Sequence, residues 1–567
     1  MTSGLELSEK HSESGQRGGR RTRHCMLSRL QVAVFVTVAI LLMAVVGILM
    51  AMFGPGSKNL KYRDDEDCKA TAEKEKKQTA GSLDVHCRVA IIGGGLSGLY
   101  FADTLLRTKK EKNVCLFEKE NRFGGRIFDH WFSQAPNITV GLGAWRVDGN
   151  AVNMMNLIRR LNISTISWDY HKKSTLESRG VFALNNFAKI KQEAFPTLNR
   201  GRFKNMTSNN MVSYAFSDDR VSTAPLFTTV DSYMSYYLSP EAAEFLSELY
   251  GYKGDYKESI NPAAYIEYQK MLFGPDGLSF ENFRPLKGMS AVVNSLVASV
   301  RRNGGKLYSE NAVLSVDKVE TSFVLKTASL TILADKLVIA THPVAYLKVK
   351  GAVSEEIHRE PVFQSIKIMP AFKGAAVYRE AWWQNTTGDL TWLNTRQRFV
   401  SNSDCLGTSM PYGGTGPNGE AVLHTMYMDG PCSRRWGDIL RTSKSHVDRE
   451  LKRALEYKFG RQVPDPLDTV YQYWDEGAWH FQKPGFNYTL TEVSDWAKRP
   501  FPGQEIFVVG DAYNPYRGWT EGAILSADNA LLEGWNIPKK SISRRKRTKS
   551  VPLSELVLDP STEFQIH

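Results

Sequence analysis

Cysteine is scarce in this chain, with six in 567 residues. None of the cysteines falls at a spacing typical of a metal site, so the sequence predicts no bound metal. Cys405 and Cys432 form one candidate disulfide pair, but the sequence does not fix the connectivity.

The chain also lacks a strongly basic body, although its formal net charge is +12. Residues 1–31 carry six Lys/Arg against three Glu, and residues 536–567 carry seven Lys/Arg against three acids. Only a modest positive excess remains for the large middle of the chain, and this argues against a nucleic-acid partner.

One segment lacks charge altogether, the apolar run from Val32 to Phe53. As a helix it would be about 33 Å long, enough to cross a bilayer core. The hydrophilic segment before it is too long for a cleaved signal peptide, and a buried core helix rarely lacks polar residues on every side. Basic residues precede the run and Asp64–Asp67 follow it, which predicts a cytosolic N-terminus and a body in the lumen or outside.

The expected organisation is that of a single-pass type II membrane protein, with the final compartment left open. Residues 1–31 are a basic cytosolic tail, 32–53 the anchor, 54–83 a charged stalk, 84–535 the catalytic body, and 536–567 a basic tail expected to be disordered. Five N-x-S/T sequons agree with this orientation, at Asn137, Asn162, Asn205, Asn385 and Asn487.

A dinucleotide-binding pattern begins at the apolar run Val89–Ile92. The glycines after it match the G-x-G-x-x-G spacing: Gly93 permits a tight turn, Gly95 admits a pyrophosphate, and Gly98 lets the next helix pack closely. A helix from Leu96 to Leu106 follows, and the backbone of Leu96 and Ser97 lies at its phosphate-binding N-terminus.

An acid completes the pattern. Glu118 follows a second apolar run, Val114 to Phe117, about twenty residues beyond the last glycine. In this fold an acid there accepts hydrogen bonds from a ribose. The chain thus contains a strand, the glycines, a helix, a second strand and an acid in this order. This order predicts a dinucleotide site.

The turn after Glu118 identifies the dinucleotide. Residues Asn121–Ile127 contain a second glycine pair and an arginine, with Gly125 and Arg126 at its end. This suits an extended flavin dinucleotide, with Arg126 near phosphate or ribityl oxygens, whereas an ordinary surface turn is the alternative. With these residues the chain resembles the FAD-dependent amine oxidase family, and its motifs are most similar to L-amino-acid oxidases of the snake-venom and gastropod type.

The resemblance implies an α/β (α+β) fold, with a Rossmann-like FAD-binding domain, a mixed-sheet substrate domain and a helical insertion. The FAD-binding parts are expected at about 84–144, 285–342 and 476–535, and the substrate parts at about 145–284 and 343–475. Ala478 stands where monoamine oxidases carry a flavin-linking cysteine, so the FAD is expected to be non-covalent. A homodimer is one option for an oligomeric state that the sequence leaves open.

Several further cofactor contacts are implied by the same resemblance. Val313 corresponds to a backbone contact to adenine, and Asp511 to an acid that holds a ribityl hydroxyl. The helix N-terminus at Trp519 and Thr520 would stabilise negative charge at the pyrimidine edge of the flavin. Residues Gly143, Ala144 and Trp145 are also expected to contact the cofactor.

Three catalytic residues follow from the resemblance. Lys373, ten positions before Trp383, would hold a water against the flavin, and Lys367 is its competitor. Trp479 and Trp519 would flank the substrate amine, where aromatic walls exclude water. Each could instead be an ordinary strand lysine or a core tryptophan.

The substrate class depends on Arg146 in Gly143–Arg146. L-amino-acid oxidases use such an arginine to bind the substrate carboxylate, since a guanidinium pairs with it through two hydrogen bonds. Tyr427 would share the carboxylate, and Gly518 would also contact substrate. Arg146 could instead be structural, and Tyr427 could be a core residue.

The sequence therefore predicts a membrane-anchored oxidase that converts L-amino acids and dioxygen to 2-oxo acids, ammonia and hydrogen peroxide, with the flavin carrying the difficult step. A monoamine or polyamine oxidase, with a small amine as substrate, is the first alternative. A flavin-binding surface glycoprotein without turnover is the second.

Overall fold

The fold is seen in a computed structural model. It describes residues 85–539 apart from 169–173, 185, 275–276, 280, 385–397 and 404. The expected anchor at 32–53, both tails and the stalk lie outside the described residues, as does the sequon at Asn385.

The first sheet has seven strands, and its central strand β1 runs parallel to both neighbours. The strand order is β10-β2-β1-β13-β12-β11, and β19 pairs with the second half of β13. The strands are β1 (Val85–Ile92), β2 (Val114–Phe117), β10 (Lys306–Tyr308), β11 (Ser315–Val319), β12 (Ser322–Lys326), β13 (Thr331–Ile339) and β19 (Ile506–Val508).

These strands come from the three separate segments that were expected to bind the cofactor. Residues Val89–Ile92 of β1 are all buried, as expected for a parallel strand covered on both faces. A disulfide joins Cys87 of β1 to Cys115 of β2, and a second one joins Cys405 to Cys432. The candidate pair Cys405–Cys432 is thus confirmed, whereas Cys87–Cys115 had no signal in the sequence.

The second sheet also has seven strands, in the order β18-β14-β17-β16-β15-β7-β8, and is antiparallel except for the pair β15–β7. Its long strands β14, β17 and β18 lie side by side and carry several of the expected site residues. The strands are β7 (Ser174–Ser178), β8 (Val181–Leu184), β14 (Ile366–Tyr378), β15 (Arg398–Ser401), β16 (Gly407–Pro411), β17 (Ala421–Asp429) and β18 (Asp468–Gln482).

Two small sheets complete the strands. They pair β3 with β4, and β9 with both β5 and β6. Their bounds are β3 (Asp129–Trp131), β4 (Thr139–Gly141), β5 (Val147–Asp148), β6 (Thr165–Ser167) and β9 (Asn282–Pro285).

Helices cover the first sheet and fill the insertion. Helix α1 packs against α10 and α17 beside the first sheet, and α3 to α9 contribute to a separate apolar core. The helices are α1 (Leu96–Arg107), α2 (Val152–Arg160), α3 (Phe187–Ala194), α4 (Ser208–Ala215), α5 (Asp218–Val221), α6 (Val230–Tyr237), α7 (Pro240–Tyr250), α8 (Lys253–Lys257), α9 (Pro262–Leu272), α10 (Ser290–Arg302), α11 (Pro343–Tyr346), α12 (Ala352–Arg359), α13 (Pro361–Gln364), α14 (Gly430–Thr442), α15 (Lys444–Phe459), α16 (Leu490–Lys498) and α17 (Thr520–Trp535).

The expected local elements are confirmed around the glycine turn. Strand β2 has the expected bounds, and α1 extends the expected helix by one residue to Arg107. Residues 145–284 supply helices α2 to α9, and together with residues 343–475 they supply most of the second sheet. The boundary expected at 475/476 falls inside β18, however, because this strand continues without a break to Gln482.

Within residues 85–539, leaving the gaps aside, no helix is long and apolar enough to cross a membrane. The four sequon asparagines that the structure describes are all exposed: Asn137, Asn162, Asn205 and Asn487.

Candidate active site

A cavity of about 930 Å³ runs between the first sheet, the second sheet and the helical insertion. This volume lies in the range of sites that bury a sizeable organic ligand. Nearly all of the expected site residues line it: Gly93, Gly95, Leu96, Ser97, Glu118, Gly125, Arg126, Gly143, Ala144, Trp145, Arg146, Val313, Lys373, Tyr427, Trp479, Asp511, Gly518, Trp519 and Thr520.

Gly98 is the expected cofactor residue that lies behind the cavity wall. A Cβ atom on Gly98 would come within 2.2 Å of the carbonyl oxygen of Gly93, so the residue lets α1 pack tightly on the turn. Gly93 has a φ of +109°, which favours glycine. A Cβ on Gly95 would meet no atom within 4 Å, so the backbone there is open to a ligand.

Two helix N-termini face the cavity. Helix α1 begins after Gly95, and α17 begins after Trp519, which stands at the wall with Gly518. In the described part of the chain, neither helix has a side chain that caps its first N–H groups. Free N–H groups at a helix N-terminus suit an anionic ligand, such as a phosphate at α1 or a developing anion at α17.

Glu118 lies at the end of β2 and is buried. Its Oε2 accepts a hydrogen bond from the backbone N–H of Gly94 at 2.7 Å, and its Oε1 accepts one from Glu120 at 2.9 Å. These bonds hold the carboxylate at the cavity edge beside the glycine turn, where the ribose of a dinucleotide is expected.

Arg126 and Asp511 both line the cavity and contact each other. The guanidinium of Arg126 donates to both carboxylate oxygens of Asp511, with Nη1 to Oδ2 at 3.1 Å, and to the carbonyl oxygen of Ala478 at 2.9 Å. Burial alone would raise the pKa of Asp511, but the charge of Arg126 and the nearby His480 hold that pKa below its usual value. Asp511 is therefore an anion that also accepts the backbone N–H of Gly518 at 3.0 Å.

Lys373 lies on β14 with only 4% of its surface exposed. Its Nζ donates to the carbonyl oxygen of Gly143 at 2.7 Å and lies 4.3 Å from the ring centre of Tyr427. Burial lowers the pKa of Lys373 to about 7, with a further decrease from Arg146 and an opposing effect from Asp129.

The competing candidate Lys367 lies elsewhere on the same strand, 3.6 Å from Glu258 and away from the cavity lining. Trp383, the tryptophan ten positions after Lys373 in the sequence, is buried among other aromatic residues. Of the two lysines, the structure thus places Lys373 at the site.

Aromatic rings enclose the region next to Lys373. The rings of Tyr427 and Trp479 are 6.4 Å apart and nearly perpendicular, and Tyr252 contacts both, at 5.4 Å and 5.7 Å. The guanidinium carbon of Arg146 lies 5.5 Å from the ring centre of Trp519. This end of the cavity thus combines the guanidinium of Arg146 and the amine of Lys373 with a largely aromatic wall.

The sequence did not indicate the part of the wall that comes from the insertion. Tyr252, Asp255 and Tyr268 lie in or next to α8 and α9 and reach the cavity. Glu476 was also missed; it lies 3.5 Å from His342 and 3.7 Å from Lys119. No motif marks Tyr252, Asp255 and Tyr268, because they meet the site only through long-range packing.

The residues present fit an FAD. Gly95 leaves room for a pyrophosphate at the uncapped start of α1, and Glu118 lies beside it. The hydroxyl oxygen of Thr341 is buried at the cavity wall and has no hydrogen-bond partner among the residues that the structure describes. A polar ligand in the cavity would satisfy it.

The sequence pattern of the flavin-containing amine oxidoreductases matches residues 96–530. This match covers most of the chain, which therefore belongs to that family and uses FAD.

The chain is similar to two gastropod proteins along most of its length. It is 22% identical to Aplysianin-A of Aplysia kurodai over 536 residues, covering 83% of this chain and 91% of that protein. It is 23% identical to Achacin of Lissachatina fulica over 518 residues, covering 81% and 94%.

A solved structure shows the same fold. Cyclohexylamine oxidase from Brevibacterium oxydans superposes with a TM-score of 0.59 at 16% identity, covering 79% of this chain and 99% of that one. Identity at this level supports the fold alone. The amine-oxidase fold expected from the glycine turn is thereby confirmed.

Proposed function

We propose that this protein oxidatively deaminates L-amino acids to 2-oxo acids, with release of ammonia and hydrogen peroxide. One observation carries the proposal. Arg146 reaches the aromatic end of the cavity, where its guanidinium lies over Trp519 and near Tyr427 and Lys373. A guanidinium at this place provides a partner for a substrate carboxylate, which a simple amine lacks.

Bound FAD supplies the two-electron acceptor, and dioxygen removes the electrons as hydrogen peroxide. Arg146 and Tyr427 hold the carboxylate of the substrate. Burial raises the pKa of Tyr427 well above its usual value, so its hydroxyl stays protonated and can donate a hydrogen bond. Trp479 and Trp519 exclude water and favour the neutral form of the substrate amine. Oxidation then removes the hydrogen on Cα, the carbon next to that neutral nitrogen.

Lys373 acts after the substrate has been oxidised to the imino acid. With a pKa of about 7, its amine exchanges a proton at neutral pH and can orient the water that hydrolyses the imino acid. Its contacts with Gly143 and the Tyr427 ring hold Nζ beside the carboxylate-binding pair. Hydrolysis then gives the 2-oxo acid and ammonia.

The test compares L-amino acids with the amines that remain after loss of their carboxylate, using peroxide release from the FAD-loaded protein. At low substrate concentration we expect amino acids to be turned over at least about tenfold faster than the corresponding amines. This is the usual effect of one charge-assisted contact on the rate. Arg146→Met should raise KM for amino acids and leave KM for amines nearly unchanged. A preference for amines, or equal effects on both classes, would reject the proposal.

We further propose that the body lies on the non-cytosolic side of a membrane, held by the segment 32–53. Two disulfides and four exposed sequons support an oxidising, glycosylating compartment. Removal of N-linked glycans should increase the mobility of the cell-expressed protein in gels, and protease added outside sealed vesicles should spare the body. A body that protease digests in intact vesicles would contradict this orientation.

A further inference from the structure

A buried arginine lines the cavity just before helix α17. Arg517 is only 2% exposed. Its Nε and Nη2 atoms have no hydrogen-bond partner among the residues that the structure describes. Leaving a buried N–H group without an acceptor costs free energy, so such groups are usually bonded once their site is filled. The guanidinium therefore indicates that an acceptor group of a ligand binds at this part of the cavity.

The loop that carries Arg517 is held in place by hydrogen bonds. The backbone N–H of Arg517 donates to the carbonyl oxygen of Pro515 at 2.9 Å. The N–H of Trp519 donates to the carbonyl oxygen of Tyr516 at 3.3 Å. The carbonyl oxygen of Arg517 itself accepts a hydrogen bond from the hydroxyl of Tyr268 at 2.9 Å. These contacts fix the backbone of Arg517 directly before the first turn of α17.

Positive charge is concentrated at the start of α17. No described side chain caps the first N–H groups of this helix, and a helix N-terminus carries about half an elementary positive charge. Burial lowers the pKa of Arg517 to about 10, and the negative charges of Glu267 and Asp511 limit that decrease. The guanidinium is therefore a cation at neutral pH and adds a full charge to that of the helix.

The partners of Arg517 differ from those of the arginine proposed to bind substrate. The N–H of Gly518, the next residue, donates to Oδ2 of Asp511 at 3.0 Å, and the charge of Asp511 also acts on Arg517. The charge of Arg146 acts on Lys373 instead. Arg517 thus belongs to the Asp511 side of the cavity, and a second ligand group has to meet it there.

The chemistry of FAD supplies such a group. FAD has two parts rich in hydrogen-bond acceptors, the pyrophosphate and the pyrimidine edge of the flavin ring. The uncapped start of α1, where the backbone of Gly95 is open, suits the pyrophosphate. The second uncapped helix start, at α17 beside Arg517, is then left for the pyrimidine edge. The opposite, dimethylbenzene edge has no acceptor and would leave the guanidinium without a partner.

We infer that Arg517 donates hydrogen bonds to the pyrimidine edge of the bound flavin and stabilises the negative charge that this edge acquires on reduction. A fixed cation in a buried site stabilises developing charge without having to reorganise. Arg517 is then a cofactor-binding residue that raises the reduction potential of the FAD. This role does not depend on whether the substrate is an amino acid or an amine.

The first test is a sulfite titration of the FAD-loaded protein. Sulfite adds to the oxidised flavin and leaves negative charge on the pyrimidine part, so a cation at that edge tightens its binding. Arg517→Met should weaken sulfite binding about ten- to a hundredfold, the usual effect of one charge-assisted contact. Arg517→Lys keeps the charge and should recover most of this loss. Unchanged sulfite affinity in Arg517→Met would overturn the inference.

The second test measures the midpoint potential of the bound FAD without substrate. Removing a cation that favours the reduced flavin should lower the potential, and a ten- to hundredfold effect corresponds to about 30–60 mV for a two-electron couple. The control is Arg398→Met, since Arg398 is also buried, with 4% of its surface exposed, but lies outside the cavity lining. Equal decreases in both variants would reject the role of Arg517.

The wild-type protein tests the inference even if Arg517→Met does not fold or retain FAD. Its midpoint potential should lie above that of free FAD, and it should bind sulfite. A potential below that of free FAD, or no sulfite binding, would overturn the inference without any variant. A preference for L-glutamate that Arg517→Met abolishes at an unchanged potential would assign Arg517 to the substrate instead. Failure of the proposed amino-acid oxidation would leave the flavin measurements unaffected, because they use no substrate.

Discussion

Replacing Lys373 by methionine tests the electrostatics of the site through protein stability. The pKa of this amine falls from 10.5 to about 7 through burial, with a smaller contribution from Arg146. Between pH 7 and pH 10.5 the unfolded chain therefore holds a proton that the folded protein has released. Stability must rise with pH across this window, by about 1.4 kcal/mol per pH unit from this one group.

The sign and size of the expected effect follow from these limits. Below pH 7 both states carry the charge, so the folded protein bears the whole cost of burying it, about 5 kcal/mol. At pH 9 that cost falls to about 2 kcal/mol. Lys373→Met removes the charge at every pH, so its stabilising effect should be about 3 kcal/mol larger at pH 6 than at pH 9.

The assay is urea unfolding of the flavin-free protein at pH 6 and pH 9. The lost hydrogen bond to Gly143 should cost the variant about 1 kcal/mol at both pH values, so only the difference between them is informative. Lys367→Met is the control, because it changes the same residue type on the same strand outside the cavity. A stability difference that is the same at both pH values would refute a neutral buried Lys373.

Three further variants test the glycine turn and the Arg126–Asp511 ion pair. Gly98→Ala should destabilise the fold by several kcal/mol, since its Cβ would lie 2.2 Å from a carbonyl oxygen, while Gly95→Ala should fold normally yet bind FAD at least about tenfold more weakly. Thermal unfolding and a flavin fluorescence titration separate the two effects, and a Gly95→Ala protein with unchanged FAD affinity would contradict the assignment. Arg126→Met leaves the buried carboxylate of Asp511 without its cation and should cost about 3–5 kcal/mol in urea unfolding. Arg453→Met, at a side chain that is 73% exposed, should cost less than about 1 kcal/mol, and equal losses would mean that the Arg126 pair is not important for stability.

Most of the cofactor half of the site could be predicted from the sequence, because its constraints are local. Gly93 and Gly98 are needed by a turn formed from neighbouring residues, and Glu118 lies a fixed distance along the chain from that turn. A helix, a strand and a tight turn each leave a residue pattern within about twenty positions. Lys373 and Arg146 were found in the same way, through short stretches that resemble a known family.

The pairing of Arg126 with Asp511 was not predictable, although both residues were expected near the cofactor. They are 385 positions apart in the chain and meet only when β19 joins the first sheet beside β13. The disulfide between Cys87 and Cys115 likewise depends on β1 and β2 becoming neighbours.

The sequence by itself determined the cofactor class, the order of the segments and the charged groups that carry the chemistry. Only the tertiary structure decided which side chains lie opposite those groups in the cavity. The insertion has no motif, and its residues reach the cavity through contacts with residues far from them in the chain. Asp255 and Tyr252 entered the site in this way. A short apolar or aromatic stretch indicates that its residues will be buried. Which cavity these residues line depends on contacts with residues far away in the chain, and no local sequence pattern indicates those contacts.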